Sequence, residues 1–199
     1  IVITANSYWN IKNFRFGLLN YLIKKKFKLI VIAPKDDSFY LNHTKNFEFI
    51  DININRKGTN VLKDLKILLR YLLIFYREKP KYILTFTIKP NIYASIAAHI
   101  FNICTINNIS GLGSAIIKEN YITKIVKVLY KIAFMKSKYI FFENKDDLKY
   151  FTKNKIIDSE KALLIPGCGL NIEYFKNYKP KDTHFKINQK KYFMFLLIA

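Results

Sequence analysis

Apolar residues fall into short unbroken runs, separated by longer stretches in which they recur every three or four positions. Ile1–Thr4, Leu29–Ala33, Tyr82–Thr87, Cys104–Asn107, Tyr139–Phe142 and Leu163–Pro166 are runs of the first kind. Such runs are expected of strands buried on both faces. Phe47–Ile54 instead alternates apolar and polar positions, the pattern of a strand with one covered face. The stretches between them carry the longer period. Phe14–Lys26 predicts a helix with Phe14, Leu18, Tyr21 and Leu22 on one face, closed by three lysines that suit its negative end. A short helix is expected over 36–45, started by Asp36 or Asp37. Asn60 is placed to cap a helix over Val61–Lys79, which Pro80 ends.

Pro90 fits the first turn of a helix reaching about Phe101, whose Ala94, Ser95, Ala97 and Ala98 let it lie close to a sheet. Ile122–Met135 predicts an amphipathic helix with lysines outside, and Asp146–Lys153 one more helix. Strands alternating with helices predict an α/β fold: a Rossmann-like parallel sheet with helices on both faces. That domain is expected over 1–176. A polar, basic linker follows over 177–191, and 192–199 reads as the first strand of a second domain.

Ligands of such sheets bind beyond the carboxyl ends of the strands. Six loops there carry Asn, Ser, Lys or Gly: Asn6–Arg15, Arg56–Asn60, Thr87–Asn91, Asn107–Ser114, Glu143–Asp147 and Gly167–Asn171. Together they predict one polar cleft. Within it Trp9 serves either the core or sugar stacking. Lys89, beside a helix start, is either solvated or a phosphate holder. Gly111-Leu112-Gly113 and Pro166-Gly167-Cys168-Gly169 read equally as structural turns. Neither is a dinucleotide fingerprint, and the chain has no phosphate loop, nucleophile elbow or pair of histidines at metal spacing. His43, His99 and His184 stand apart, with His99 expected to be a satisfied core or surface residue. Asp146 and Asp147 read as helix-start residues.

Composition changes this picture little. The chain is 51% hydrophobic, enough for a core. Its formal charge of +20 favours anionic partners such as phospholipid surfaces or phosphorylated substrates, although scattered lysines are commonly solvated faces. Nucleic acid is disfavoured, because the aromatics fall in strands and helix cores rather than between exposed basic residues. Cys104 and Cys168 have no metal-type spacing and are expected as reduced, buried thiols. No apolar stretch reaches the ~20 residues of a membrane span.

The segments Ala5–Asn10 with Asn13–Arg15, Asn55–Asn60, Thr87–Tyr93, Asn107–Gly113, Phe142–Asp147 and Ile165–Asn171 resemble, in the same order, the amino-terminal domain of bacterial family 4 glycosyltransferases. The nearest likeness is to enzymes that build surface polysaccharides and lipid-linked oligosaccharides, including N-acetylgalactosaminyl and N-acetylglucosaminyl transferases acting on undecaprenyl-diphosphate sugars. The resemblance implies a two-domain GT-B fold. It implies transfer of a sugar, an N-acetylhexosamine or a hexose, from a nucleotide sugar to a lipid-linked saccharide acceptor, with retention and without metal or other cofactor. It implies a cytoplasmic protein, peripheral at the inner face of the membrane, with an anionic membrane surface as a partner and no nucleic acid.

On this likeness Asn6, Ser7, Trp9, Asn13 and Arg15 hold acceptor hydroxyls. Lys89, with Arg56 or Lys57, faces the acceptor diphosphate, and Asn91 belongs to the same acceptor site. Gly111 and Gly113 line the cleft near the donor, with Asn144 at its floor. The main catalytic glutamates are expected in the second domain, so the 199 residues alone are expected to be inactive. Leu170-Asn171 departs from a family Gly-Val-Asp segment, and the family's cleft histidine has no counterpart near Ser110–Gly113. The basic helices 14–26 and 122–138 are expected to rest on an anionic bilayer. A nucleotide-sugar 2-epimerase shares the fold and is the alternative reaction; a basic nucleic-acid-binding module is a remote one.

Overall fold

The unbroken apolar runs become the middle of a sheet because helices cover both of its faces. The computed structural model describes residues 1–42, 46–55, 60–112 and 121–169. Seven strands, β1 Val2–Thr4, β2 Ile30–Ala33, β3 Glu48–Asp51, β4 Tyr82–Phe86, β5 Cys104–Ile109, β6 Tyr139–Phe142 and β7 Ala162–Leu164, form one sheet in the order β3-β2-β1-β4-β5-β6-β7. Every pairing is parallel; Thr4 lies beside Ile32 on one side and Thr85 on the other. The order reverses between β1 and β4. This is the Rossmann-like architecture expected, with its crevice at that reversal.

Helix α1 starts where a loop was expected. It runs unbroken through Tyr8–Asn10, a π turn Ile11–Arg15 and Phe16–Lys24. The Ser7 hydroxyl caps it by accepting from the Asn10 amide at 3.1 Å. The π turn inserts one residue and rotates everything before it. Ile11, Arg15 and Leu19 therefore face inward, while Tyr21, expected in the buried face, is 57% exposed.

Helix α2 is Asp37–Asn42, and α3 is Val61–Glu78, capped as expected by Asn60, whose side chain accepts from the Lys63 amide. Helix α4 comprises a π turn Pro90–Ala94 and Ser95–Ile100. Helices α5, Tyr121–Phe134, and α6, Lys145–Lys153, follow among the described residues, with a 3-10 turn Ser159–Lys161 before β7. Helix α6 begins one residue before expectation because Asn144 caps it. Strand β5 extends through Asn107 and Asn108, read from sequence as strand end and loop, because both asparagines find buried partners. Strand β7 ends before Pro166, and Cys168 is exposed rather than buried. The chain divides after Gly169. The expected linker over 177–191 and the strand over 192–199 lie outside the described residues.

Alternate residues of the strands feed opposite faces. Val2, Ile32 and Ile83 pack with Ile67, Tyr71 and Phe75 of α3 and with the alanines of α4. Ile3, Val31 and Ala33 pack with Tyr8, Ile11 and Leu19 of α1. Helices α3 and α4 thus share one face of the sheet, and α1 lies on the other. Helix α5 joins the α3/α4 side, where Tyr130, Ala133 and Phe134 meet Ile92 of α4.

His99, in the last turn of α4, is 9% exposed, and its Nε2 has no hydrogen-bond partner. Burial, and then the charges of Lys136 and Lys161, push its pKa down to about 4. The unfolded chain, with a histidine near 6.5, binds this proton more readily, so stability falls as pH drops from about 6.5 towards 4. We expect urea unfolding to show a loss on the order of 1–2 kcal/mol between pH 7 and 4.5 that His99→Leu does not share. Equal losses in both proteins would disprove the assignment.

Candidate functional site

The crevice between β1 and β4 is built by two turns tied together. The Asn6 amide after β1 donates to Thr87 Oγ1 after β4 at 3.1 Å. Thr87 adopts φ 69°, a left-handed conformation that a β-branched residue rarely takes. Such strain persists only where the surroundings enforce it. The strained turn aims the chain into α4 at once, so that Lys89 and Asn91 stand at the crevice. The cleft holds about 270 Å³. Asn6 and Ile54 line one side of it, Thr87, Lys89 and Asn91 the next, and Ile109, Ser110 and Gly111 the far side, above Tyr130.

A buried hydrogen-bond chain fixes this arrangement. Thr85 Oγ1 donates to Asn91 Oδ1 at 2.5 Å and accepts from Asn107 Nδ2 at 2.6 Å. Asn107 Nδ2 also donates to Ser95 Oγ at 2.7 Å, and Asn91 Nδ2 donates to the Asn108 carbonyl at 2.8 Å. Two strands and the first turns of α4 are thereby locked together.

The charge of the cleft is carried by Lys89. Its Nζ lies 2.6 Å from Asp64 Oδ1 of α3, with both side chains 14% exposed. Burial, reinforced by Asp64, raises the Tyr93 hydroxyl pKa, so that this phenol stays neutral and hydrogen-bonds the carboxylate. Lysine and aspartate nearly cancel. An incoming anion meets a cation already oriented by its partner.

A second ion pair lies further along the rim. Arg15 Nη2 contacts Glu143 Oε1 at 3.1 Å and donates to Asn108 Oδ1 at 3.2 Å, while its guanidinium stacks 4.3 Å from the Phe86 ring centre. Its Nε, buried, has no partner. Glu143 and Asn144 border a separate hollow of about 360 Å³ with Lys145, Leu164, Ile165 and Pro166.

The structure therefore gathers Asn6, Lys89, Asn91 and Gly111 in one cleft. Asn91 is only 1% exposed there, and both ends of its amide are taken by the protein. Ser7 is buried as a helix cap, and Arg15, 6% exposed, is an internal tie rather than a loop side chain. Asn144 belongs to the neighbouring hollow, not to the cleft floor, because it caps α6 through the Asp147 amide at 2.8 Å. Trp9 is 48% exposed on α1, edge-on to Phe14, so it is not a core residue. Asn13 is exposed and donates to the Trp9 carbonyl. Arg56, Lys57 and Gly113 lie outside the described residues. Sequence reasoning missed Asp64, whose place in the first turn of α3 was the available signal, and Tyr130, which lies within the helix expected over Ile122–Met135. Among the described residues no three His, Cys, Asp or Glu side chains group as a metal site.

Residues 2–144 match the family described as glycosyl transferase 4-like. No curated protein matches the chain. Among solved structures the chain is similar to a glycosyltransferase from Rickettsia africae (TM-score 0.62, 16% identity, 90% of this chain and 46% of that one). It is also similar to MurG from Acinetobacter baumannii (0.57, 11%, 85% and 46%). A third likeness is to the UDP-GlcNAc 2-epimerase of Methanocaldococcus jannaschii (0.57, 16%, 82% and 44%). The chain thus spans less than half the length of each.

The Arg15 pair yields a direct test. Arg15→Ala leaves Glu143 and Asn108 without their buried donor and is expected to destabilise the protein by about 2–4 kcal/mol in urea unfolding. Arg15→Lys should recover little, since an ammonium cannot reproduce the fork or the stack on Phe86. Glu143→Gln, which keeps an acceptor oxygen, should cost less than Arg15→Ala. The reverse ranking would show that Arg15 is not the tie described.

Proposed function

Because the chain belongs to the glycosyl transferase 4-like family, we propose that it forms the acceptor-side half of a retaining glycosyltransferase. In this reading a sugar passes from a nucleotide-sugar donor to a lipid-diphosphate-linked saccharide, in the synthesis of a surface polysaccharide. The observation that carries it is the convergence of Asn6, Lys89, Ser110 and Gly111 on one cleft at the point where the strand order reverses.

The chemistry follows from what the cleft offers. Lys89 binds the acceptor diphosphate, drawn partly away from Asp64 as the phosphate arrives. Asn6 and Ser110 take sugar hydroxyls, and the open backbone beside Gly111 admits the sugar closely. The hydrogen-bonded core behind Asn91 holds these groups still, so the attacking hydroxyl is oriented before reaction. Stabilisation of the leaving diphosphate, and the catalytic glutamates, come from a nucleotide-binding half. Neither metal nor cofactor is required.

The structural likeness to a 2-epimerase favours one second reading, in which the same cleft holds part of a nucleotide sugar that is isomerised rather than transferred. The two readings separate cleanly. With nucleotide sugar alone, the transferase leaves the sugar unchanged, whereas the epimerase converts it.

The kinetic test is Lys89→Ala in the enzyme containing both halves. The acceptor KM is expected to rise at least about tenfold, equivalent to about 1.4 kcal/mol, while the donor KM stays within twofold. An unchanged acceptor KM would remove Lys89 from the acceptor site. An isomerised donor in the absence of acceptor would replace transfer by epimerisation.

A further inference from the structure

Lys89 and Tyr93 lie four residues apart at the start of α4, and both reach one carboxylate on a different helix. Lys89 Nζ stands 2.6 Å from Asp64 Oδ1, and the Tyr93 hydroxyl donates to the same side chain. Asp64 sits in the first turn of α3, where the positive end of the helix favours an anion. The grip of α3 on the sheet comes from Ile67, Tyr71, Ile74 and Phe75, further along the helix. A largely buried ion pair is weak support for a fold. This one stands in the wall of a cleft, where its cation has other work.

What the pair does follows from its charges. Lys89 is the only cation among the described residues that line the cleft. An anion that engages Lys89 while Asp64 still holds it comes close to a like charge and is repelled. If Lys89 turns to the anion instead, Asp64 loses its cation inside the protein. That state is costly unless other donors hold the carboxylate. The Tyr93 hydroxyl and the first turn of α3 are those donors. Tyr93 is itself fixed, because its ring packs against the core on both sides of α4.

We propose that Asp64 is an internal counter-anion that occupies Lys89 until a phosphate displaces it, and that Tyr93 holds the carboxylate once Lys89 has moved. Asp64 never touches the ligand; it sets how strongly Lys89 can bind one. Only the fraction of molecules with Lys89 free of Asp64 is ready to bind, and the apparent affinity falls by that fraction. The reduction is the same for every anion, so its consequence depends on what else the anion touches. Free phosphate or pyrophosphate, held by Lys89 alone, stays weakly bound. A sugar diphosphate adds contacts to Asn6 and Ser110 in the same cleft and makes up the loss. The pair thereby selects phosphate that is attached to a sugar. This role rests on Lys89 being the phosphate contact proposed above and adds the two residues that tune it.

Titration of the 199-residue chain with inorganic pyrophosphate, followed by NMR at the Lys89 and Gly111 amides, tests this. Asp64→Asn keeps an acceptor oxygen for Lys89 and Tyr93 but removes the charge. It should bind at least about tenfold more tightly than the unaltered chain. Tyr93→Phe keeps the ring and the Asp64 charge but takes away a donor, and should bind about three- to tenfold more weakly. Damage to the cleft would weaken binding in both variants, so the opposite signs separate tuning from a structural role. With Asp64→Asn and Tyr93→Phe combined, the tyrosine effect should vanish, because no carboxylate is left to hold. Thermal unfolding should show every variant folded. Lys89→Ala added to Asp64→Asn should remove the gain at Gly111; a gain that survives takes the phosphate contact away from Lys89 and the role of Asp64 with it. If Lys89 is needed but Asp64→Asn binds no more tightly, Lys89 keeps its place and the counter-anion role alone falls. Absent binding by Asp64→Asn overturns that role equally.

Discussion

The site rests on a hydrogen-bond chain sealed inside the protein, from the Asn108 carbonyl through Asn91, Thr85 and Asn107 to Ser95. Polar groups in such surroundings are strongly favoured when paired and costly when orphaned. Its direction leaves little freedom: Thr85 gives its proton to Asn91 and must take one from Asn107. Pro90 cannot donate a backbone hydrogen bond, so the opening turn of α4 depends on side chains to hold it to the sheet. Asn91 supplies that hold. Were the turn to slip by a residue, Lys89 would leave the cleft and Asp64 would lose its counter-ion.

The same logic explains why the helices after β1 and β4, which flank the reversal of strand order, both contain π turns. An α-helix places a polar residue inward only by giving up an apolar position of its buried stripe. A π turn adds a residue to that stripe instead. In α1 the added position carries Arg15, which ties the helix to Asn108 and Glu143; in α4 the turn carries Asn91. Both turns meet on Asn108 of β5, whose Oδ1 accepts from Arg15 and whose carbonyl accepts from Asn91. The cleft therefore has a rigid polar wall, with Asn6, Lys89 and Ser110 lining the space in front of it.

The alternation of runs and periods gave away the parallel sheet and the place of its crevice, because both follow from local pattern alone. The Asn60 cap and the small-residue character of α4 were equally plain. What stayed hidden were features set by tertiary partners. Arg15 and Asn91 looked like ligand-facing loop residues because the period of an ordinary helix does not predict an inward position through a π turn. Asn107 and Asn108 looked like strand end and loop because their residue type disfavours strands, and only the neighbouring Thr85 and Arg15 outweigh that. Asn144 was drawn to the cleft by its neighbours in sequence, although its side chain is committed to the α6 amides. The pairing of Lys89 with Asp64 joins residues 25 positions apart that no short-range pattern connects.

The amphipathic reading of α5 shows where pattern reasoning runs out. Lysines every three or four residues mark a polar side, which does not say which of the apolar residues lie inward. A helix of 3.6 residues per turn has room for three faces, however. Tyr130 and Phe134 occupy the inner one, Lys124 and Lys131 a flank, and Ile125 and Val128 the outer one. Hydrophobic content summed over the chain cannot tell an inner face from an outer one, since both contribute alike to a mean hydropathy of +0.02. Only the sheet distinguishes them: Tyr130 and Phe134 pack with Ile109, Ile140 and Phe142 of β5 and β6, while Ile125 and Val128 stay exposed.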